Sequence, residues 1–373
     1  MLETQGSNLN YLRPEVRDYY QSLIFELLDL YDVDGFECDF MRYPKYFPDD
    51  KIAEGIPVMT AFLKSLRTKL DEVGKKKGKR LPLSVRVPRS PQLAKDIGLD
   101  VEAWAKEGLV DMVNATSGFR ITQEMDLEGY RKILPDTTLF GELNFVSQPG
   151  EAPGHYWVNV NRLVGRELYR ATALSYLERG ADGISLFNFA YTRDHSFGEP
   201  RKSYFPGVEP PFDAIKSFTD IKALRESSLL IAVTPDFGSL PKDLKGMSEY
   251  VLRIHVGNCF DKPFAGALVR FESDAFISHR PLGVEINGKP GRSVIHTGEL
   301  FPAPSLEALA HPQKVAHFAI DPLWLRPGIN EIKIKNEWLT SGGGGYRGSL
   351  KIMRAEIALY RTASEELRRL MTV

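Results

Sequence analysis

Hydrophobic spacing alternates between two periods from residue 14 to about residue 225. "PEVRDYYQSLIFELLDLY" sets Val16, Tyr20, Leu23, Leu27 and Leu30 three and four residues apart behind Pro14. That spacing predicts a helix with proline in its first turn. "DVDGFECDFMRYP" then switches to period two: Phe36, Cys38 and Phe40 on one side, Glu37, Asp39 and Met41 on the other. This predicts a strand with an apolar and a carboxylate face. Helical patterns follow in "VMTAFLKSLRTKLDEV", "DVEAWAKEG" (100–108), "DLEGYRKIL", the long "VNRLVGRELYRATALSYLERG" ending at Gly180, and "FDAIKSFTDIKALRE". Strand patterns lie between them in "LPLSVRVP" (81–88), "LVDMVNAT" (109–116), "TTLFGELNF" (137–145) and "ADGISLFNF" (181–189). Strands alternating with helices predict a parallel sheet, doubly wound or a barrel.

The pattern changes after about residue 228. "EYVLRIHV", "GALVRFE", "GVEING", "VAHFAID", "NEIKIKN" and "KIMRAEIALY" are short alternating runs, separated by turn signals such as "INGKPG" and "RPGIN". Such runs predict an antiparallel β-sandwich. A boundary at 226–230 divides the chain into an α/β domain, 1–227, and an all-β domain, 228–373. The glycine run 342–345 reads as a loop.

Composition narrows the classes. Of 373 residues, 43% are hydrophobic and 26% charged, and the formal net charge is −1. Balanced charge argues against a nucleic-acid partner, and no apolar run approaches a membrane span. "KKKGKR" (75–80) reads as a solvated loop. Cys38 and Cys259 fall in different domains and read as thiols, not a disulfide or metal pair. The first residues lack the basic and apolar regions of a signal peptide. The scattered histidines have no metal-ligand spacing, and no metal or cofactor is expected.

A nucleotide-binding sheet needs a glycine-rich turn, and neither G-x-G-x-x-G nor G-x-x-x-x-G-K-[ST] occurs. Polar residues instead gather near the C-terminal ends of successive strands: Glu37, Asp39 and Arg42; Arg86 and Arg89; Asn114 and Thr116; Glu142 and Asn144; Asn188. Barrel enzymes build their sites at those ends. Carboxylates turned toward a barrel axis explain the opening strand better than carboxylates turned to solvent.

"LNYLRPEVRDYYQSLIFELLDLYDVDGFECDFMRYP" and "LSVRVPRSPQLAKDIGLDVEAWAKEGLVDMVNAT" resemble bacterial family-ten-like glycosyl hydrolases, over roughly residues 8–225. The resemblance implies a (β/α)8 TIM-type barrel with a C-terminal β-sandwich, in a family often secreted or periplasmic. With 181–189 as strand eight, five strands, four to eight, are present. The expected fold is therefore a partial barrel plus an antiparallel sandwich. Strands 33–41 and 182–188 would form its open ends, and a homodimer is expected to cover that open side.

Glycoside hydrolysis uses two carboxyl groups flanking the scissile bond. Asp39 and Glu142 are the leading catalytic candidates, with Glu37 beside them to act as or hold the acid. The competing reading for each carboxylate is a structural ion pair, Glu142 with Arg86 above all. Arg42, Arg86, Asn114 and Asn144 are candidate substrate holders. The long segments 146–159 and 190–212 add His155, Trp157, Tyr191 and His195, which could stack on sugar faces. The expected function is hydrolysis of a polysaccharide or oligosaccharide. The alternative is a glycan-binding or scaffold protein without catalysis.

Overall fold

The structure, a computed structural model, describes residues 9–148, 162–192, 209–235, 237–277, 281–296, 298–302, 311–338 and 348–372. Two compact units emerge. The first holds residues up to Gly118, Met125–Glu142 and Arg179–Ser185; the second holds Phe119–Glu124, Leu143–Glu178 and residues from Leu186 on.

The elements run α1 Pro14–Leu30, β1 Phe36–Asp39, α2 Ile52–Lys77, β2 Leu83–Pro88, α3 Pro91–Lys95, α4 Val101–Lys106, β3 Met112–Thr116, α5 Leu127–Ile133 and β4 Thr138–Asn144. After these come a two-stranded antiparallel ribbon, β5 Val146–Gln148 and β6 Arg162–Leu163, then α6 Arg166–Glu178 and β7 Gly183–Phe187. One sheet joins β1-β2-β3-β4-β7 in that order, so its strands follow the chain and β1 and β7 are its two ends. The β1/β2, β2/β3 and β3/β4 pairs are parallel. Among the described residues no pairing joins the two ends, and no closed barrel forms.

Local chemistry places these elements. The side chains of Ser90, Asp100 and Asp126 accept from backbone N–H groups in the first turns of α3, α4 and α5. At the N-terminal ends of the strands, Asp111 accepts from the Leu83 N–H and from Arg67 and Arg80. Asp182 likewise accepts from the Leu139 N–H and from Arg131. These ion pairs tie helices and loops to the strand starts and leave the opposite ends free for other chemistry. One face of the sheet is an apolar row, Val85, Val113 and Leu139, with no exposure.

The remaining strands are β8 Leu229–Val233, β9 Lys242–Leu244, β10 Ser248–Val256, β11 Gly266–Ser273, β12 Leu282–Ile286, β13 Lys289–Pro290, β14 Arg292–Val294, β15 Val315–Ile320, β16 Gly328–Asn336 and β17 Leu350–Tyr360. They form two sheets, β10-β16-β12-β13 and β14-β15-β11-β17-β8, with β9 also pairing β17. All these pairings are antiparallel.

Three expectations need correction. The long helical pattern before Gly180 starts as a helix only at Arg166, because Arg162 and Leu163 pair with β5. "FDAIKSFTDIKALRE" is two short helices, α7 Phe212–Ile215 and α8 Ile221–Arg225, since Asp220 turns out to cap a new helix start. "KKKGKR" is not a loop: Lys75–Lys77 form the last turn of α2, which Gly78 ends in a left-handed conformation at φ 66°. Lys77 and Lys79 pair with Asp32 and Asp34. The glycine run 342–345 lies outside the described residues.

Candidate active site

Parallel register sets residues of neighbouring strands side by side on one face. Asp39 lies beside Arg86 and Arg86 beside Asn114, so three polar residues form a row across β1, β2 and β3. Glu37 lies beside Ser84 one step earlier. The neighbouring row on the other face, Cys38, Val85, Val113 and Leu139, is apolar. The alternation seen in β1 thus extends across β2 and β3, and Phe140 of β4 ends the polar row.

Arg86 is the hub. It is only 4% exposed, and its Nε and Nη2 donate to the two oxygens of Glu142 at 2.5 and 2.8 Å. Nη1 donates to Asp39 Oδ1 at 2.9 Å. Burial works against the guanidinium's charge, but the hydrogen bonds and charges of Glu142 and Asp39 outweigh it and hold its pKa above the ordinary value.

Glu142, 1% exposed, also accepts from the Thr116 hydroxyl and, at 3.4 Å, from Asn114 Nδ2. These four donors satisfy the carboxylate's acceptor capacity. Asn114 Nδ2 also donates to Ser185 Oγ at 3.2 Å, which brings β7 into the cluster. Its Oδ1 is buried and has no partner among the described residues. Asp39 is different: its side chain is 47% exposed, and its other donor is the backbone N–H of Met41 at 2.8 Å. Glu37 is exposed as well and accepts from Ser84 Oγ at 2.7 Å.

One planar guanidinium bridging both carboxylates keeps Asp39 Oδ1 within about 8 Å of Glu142. That span overlaps the separations used in glycoside hydrolysis, about 5–5.5 Å for retention and about 6.5–9.5 Å for inversion.

Not every expected residue joins. Arg42 is exposed, its guanidinium 5.4 Å from the centre of the Tyr43 ring. Asn144 is fully buried at the end of β4 and belongs to the second unit. Tyr191 falls in a short 3-10 turn, Phe189–Thr192, and His155, Trp157 and His195 lie outside the described residues. Glu37 pairs with a serine and not with Arg42, Arg86 or Arg89. Ser84 and Ser185 were missed in the sequence, and Thr116, noted at its strand end, was not counted as a site residue. Ser84 had a usable signal, since it alternates with Arg86. Ser185 had none, because its neighbour depends on which strand flanks β7.

Among the described residues, no three His, Cys, Asp or Glu side chains are grouped to hold a metal ion. Cys38 and Cys259 are free thiols, the second buried. No described helix is long and apolar enough to cross a membrane.

No protein-family model matches the chain, and no curated protein matches it. In structure the chain is similar to a chitinase from Bacillus thuringiensis, with 11% identity over 87% of this chain and 75% of that one, at a TM-score of 0.37. It is also similar to a family GH18 chitinase from Chromobacterium violaceum, with 12% identity over 93% and 69% of the two chains and a TM-score of 0.32. A third is a cycloisomaltooligosaccharide glucanotransferase from Paenibacillus sp., with 9% identity and a TM-score of 0.27. This chain is covered over 93% of its length there and spans 38% of that enzyme. All three TM-scores lie below 0.5, so the likenesses carry no argument about activity here.

Proposed function

We propose that this protein is a glycoside hydrolase acting on a polysaccharide or oligosaccharide. The five-stranded sheet would be an arc of a (β/α) barrel, and the antiparallel sheets its C-terminal sandwich. The observation that carries the reading is the Arg86 bridge, which joins an exposed carboxylate to a buried one. Glu142, held by four donors, would be the base or nucleophile. Glu37, which accepts from the Ser84 hydroxyl, would be the general acid of the β1 pair, with Asp39 orienting a sugar hydroxyl.

The test is reducing-sugar release from a panel of polysaccharides. With the substrate found, Asp39→Asn and Glu142→Gln should each lower turnover by about 100-fold or more while the fold survives. Near-native turnover in either variant removes that residue from the reaction.

A second reading rests on the near-complete burial of Glu142. If Glu142 is a structural partner of Arg86, the exposed carboxylates bind glycan without cleaving it. Glycan binding by the wild-type chain with no turnover on any panel member would establish that alternative.

A further inference from the structure

The fork of Arg86 grips Glu142 with two parallel bonds, Nε on Oε2 at 2.5 Å and Nη2 on Oε1 at 2.8 Å. Such a side-by-side pair fixes the plane that the two groups share. It does not stop them tilting or sliding together as one body. A third point outside the fork is needed for that. Thr116, the last residue of β3 and wholly buried, supplies it.

A threonine hydroxyl has one proton and two lone pairs. Both lone pairs of Thr116 are engaged: the Gly118 N–H donates to Oγ1 at 3.0 Å and Arg86 Nη2 donates to it at 3.3 Å. The hydroxyl proton has one direction left, and Glu142 Oε1 accepts it there. Thr116 thus touches both members of the pair, one as acceptor and one as donor.

The backbone makes this point rigid. The bond from Gly118 is a side chain accepting from the N–H two residues on, which closes a short loop over 116–118. Gly118 stands there at φ 90°, a conformation that favours glycine, and its carbonyl also lies 3.4 Å from Arg86 Nη2. The β-branched side chain of Thr116 is itself stiff at χ1. Sheet register sets the residue beside Pro88 of β2, two positions beyond Arg86.

We propose that Thr116 is a positioning residue for the reaction at Glu142, its hydroxyl fixing the direction in which the Arg86-held carboxylate meets the substrate. This rests on the hydrolase reading above. Thr116 is sealed from solvent and touches no substrate, so its effect falls on the chemical step and not on binding. Thr172 offers a comparison: it is equally buried, but its hydroxyl donates only to the Leu168 carbonyl of its own helix, at 2.9 Å.

The test is steady-state turnover of the full chain on a polysaccharide that it cleaves, per mole of chain folded by circular dichroism. Thr116→Val keeps the shape and removes the hydroxyl. Its kcat should fall about 10- to 100-fold, as for a reacting group displaced by up to about 1 Å. KM should stay within about threefold of wild type. Thr116→Ala, measured alongside, gives the same comparison should the valine variant not fold. Thr116→Ser restores the hydroxyl and should bring kcat back to within about threefold of wild type. Thr172→Val should leave kcat unchanged. An unchanged kcat without the Thr116 hydroxyl, a rise in KM alone, or an equal loss in Thr116→Ser or Thr172→Val overturns the proposal and leaves the hydrolase reading standing. A wild-type chain that cleaves no panel member overturns both.

Discussion

Two clusters of buried arginine and glutamate, one in each unit, are built to different plans. In the second unit Arg162, Arg270 and Arg354 face Glu272, Glu299 and Glu356. Register makes the core of it: Arg270 lies opposite Glu356 and Glu272 opposite Arg354 on antiparallel β11 and β17. Every one of these groups is largely buried and three cations meet three anions, so the cluster closes on itself. In the first unit a single guanidinium meets two carboxylates, and one of them, Asp39, is about half exposed. That cluster carries an excess of negative charge and opens to solvent. Burial of charge alone therefore does not mark a site. An uncompensated end that reaches solvent does, because it still has interactions to give to a ligand.

The comparison is most easily broken at Glu356. Its burial favours the neutral carboxyl, but Arg270, Arg354 and Arg162 overcome this and hold its pKa well below the carboxylate range. Glu356→Gln leaves Arg270 and Arg354 short of a buried counter-charge. The expected loss is at the upper end of about 3–5 kcal/mol in a denaturant titration at pH 7. A loss under about 1 kcal/mol would mean that water reaches this cluster and that it is not closed.

Arg86 comes next. Arg86→Met strands Glu142 in a buried position and should cost about 3 kcal/mol, somewhat less than Glu356→Gln because Thr116 and Asn114 still donate to it. An unchanged melting temperature would place Glu142 in a hydrated cleft and strengthen the catalytic reading over the structural one.

His317, 3% exposed, sharpens the contrast through pH. Burial, then the charges of Arg270 and His296, push its pKa down to about 3, against a weaker opposing pull from Glu356. The unfolded chain binds the proton near the ordinary value of about 6.5. The stabilising contribution is thus complete above about pH 6.5 and is lost progressively as pH falls toward 3. On that basis stability should drop by about 3 kcal/mol between pH 6.5 and 4. His317→Gln should flatten this slope, and an equally steep slope in the variant would assign it to other groups.

Much of the element order was legible because period-two runs and helical spacing alternate along the chain. The members of the row Asp39, Arg86 and Asn114 were legible one by one, since each lies near the C-terminal end of a readable strand. What sequence could not supply was exposure. Asp39 and Glu142 look alike in "FECDF" and "GELNF", yet one is half open and the other sealed, because β1 ends the sheet and β4 lies within it. The second cluster was equally hidden. "VRFES" and "MRAEI" each carry Arg-x-Glu, but only antiparallel register makes each arginine meet the other strand's glutamate. Asp220 was read inside a helix because helical spacing continues across it, while its capping bonds appear only in three dimensions.

The smallest expected change in stability falls on Asp39, and it separates site from scaffold. Its ion pair with Arg86 is partly solvated, and Arg86 retains the bidentate bond to Glu142 when Asp39 is neutralised. Exposed pairs contribute about 0–1 kcal/mol, so Asp39→Asn should shift stability by less than about 1 kcal/mol. The amide oxygen can still accept from Arg86 and from the Met41 N–H, so local geometry should persist. What changes is the negative charge offered to a ligand at the open end of the cluster. If that end is the site, Asp39→Asn should abolish glycan hydrolysis or weaken glycan binding with almost no change in melting temperature. The reverse outcome, a marked loss of stability with function retained, would make Asp39 a structural partner and the first cluster a second example of the closed kind.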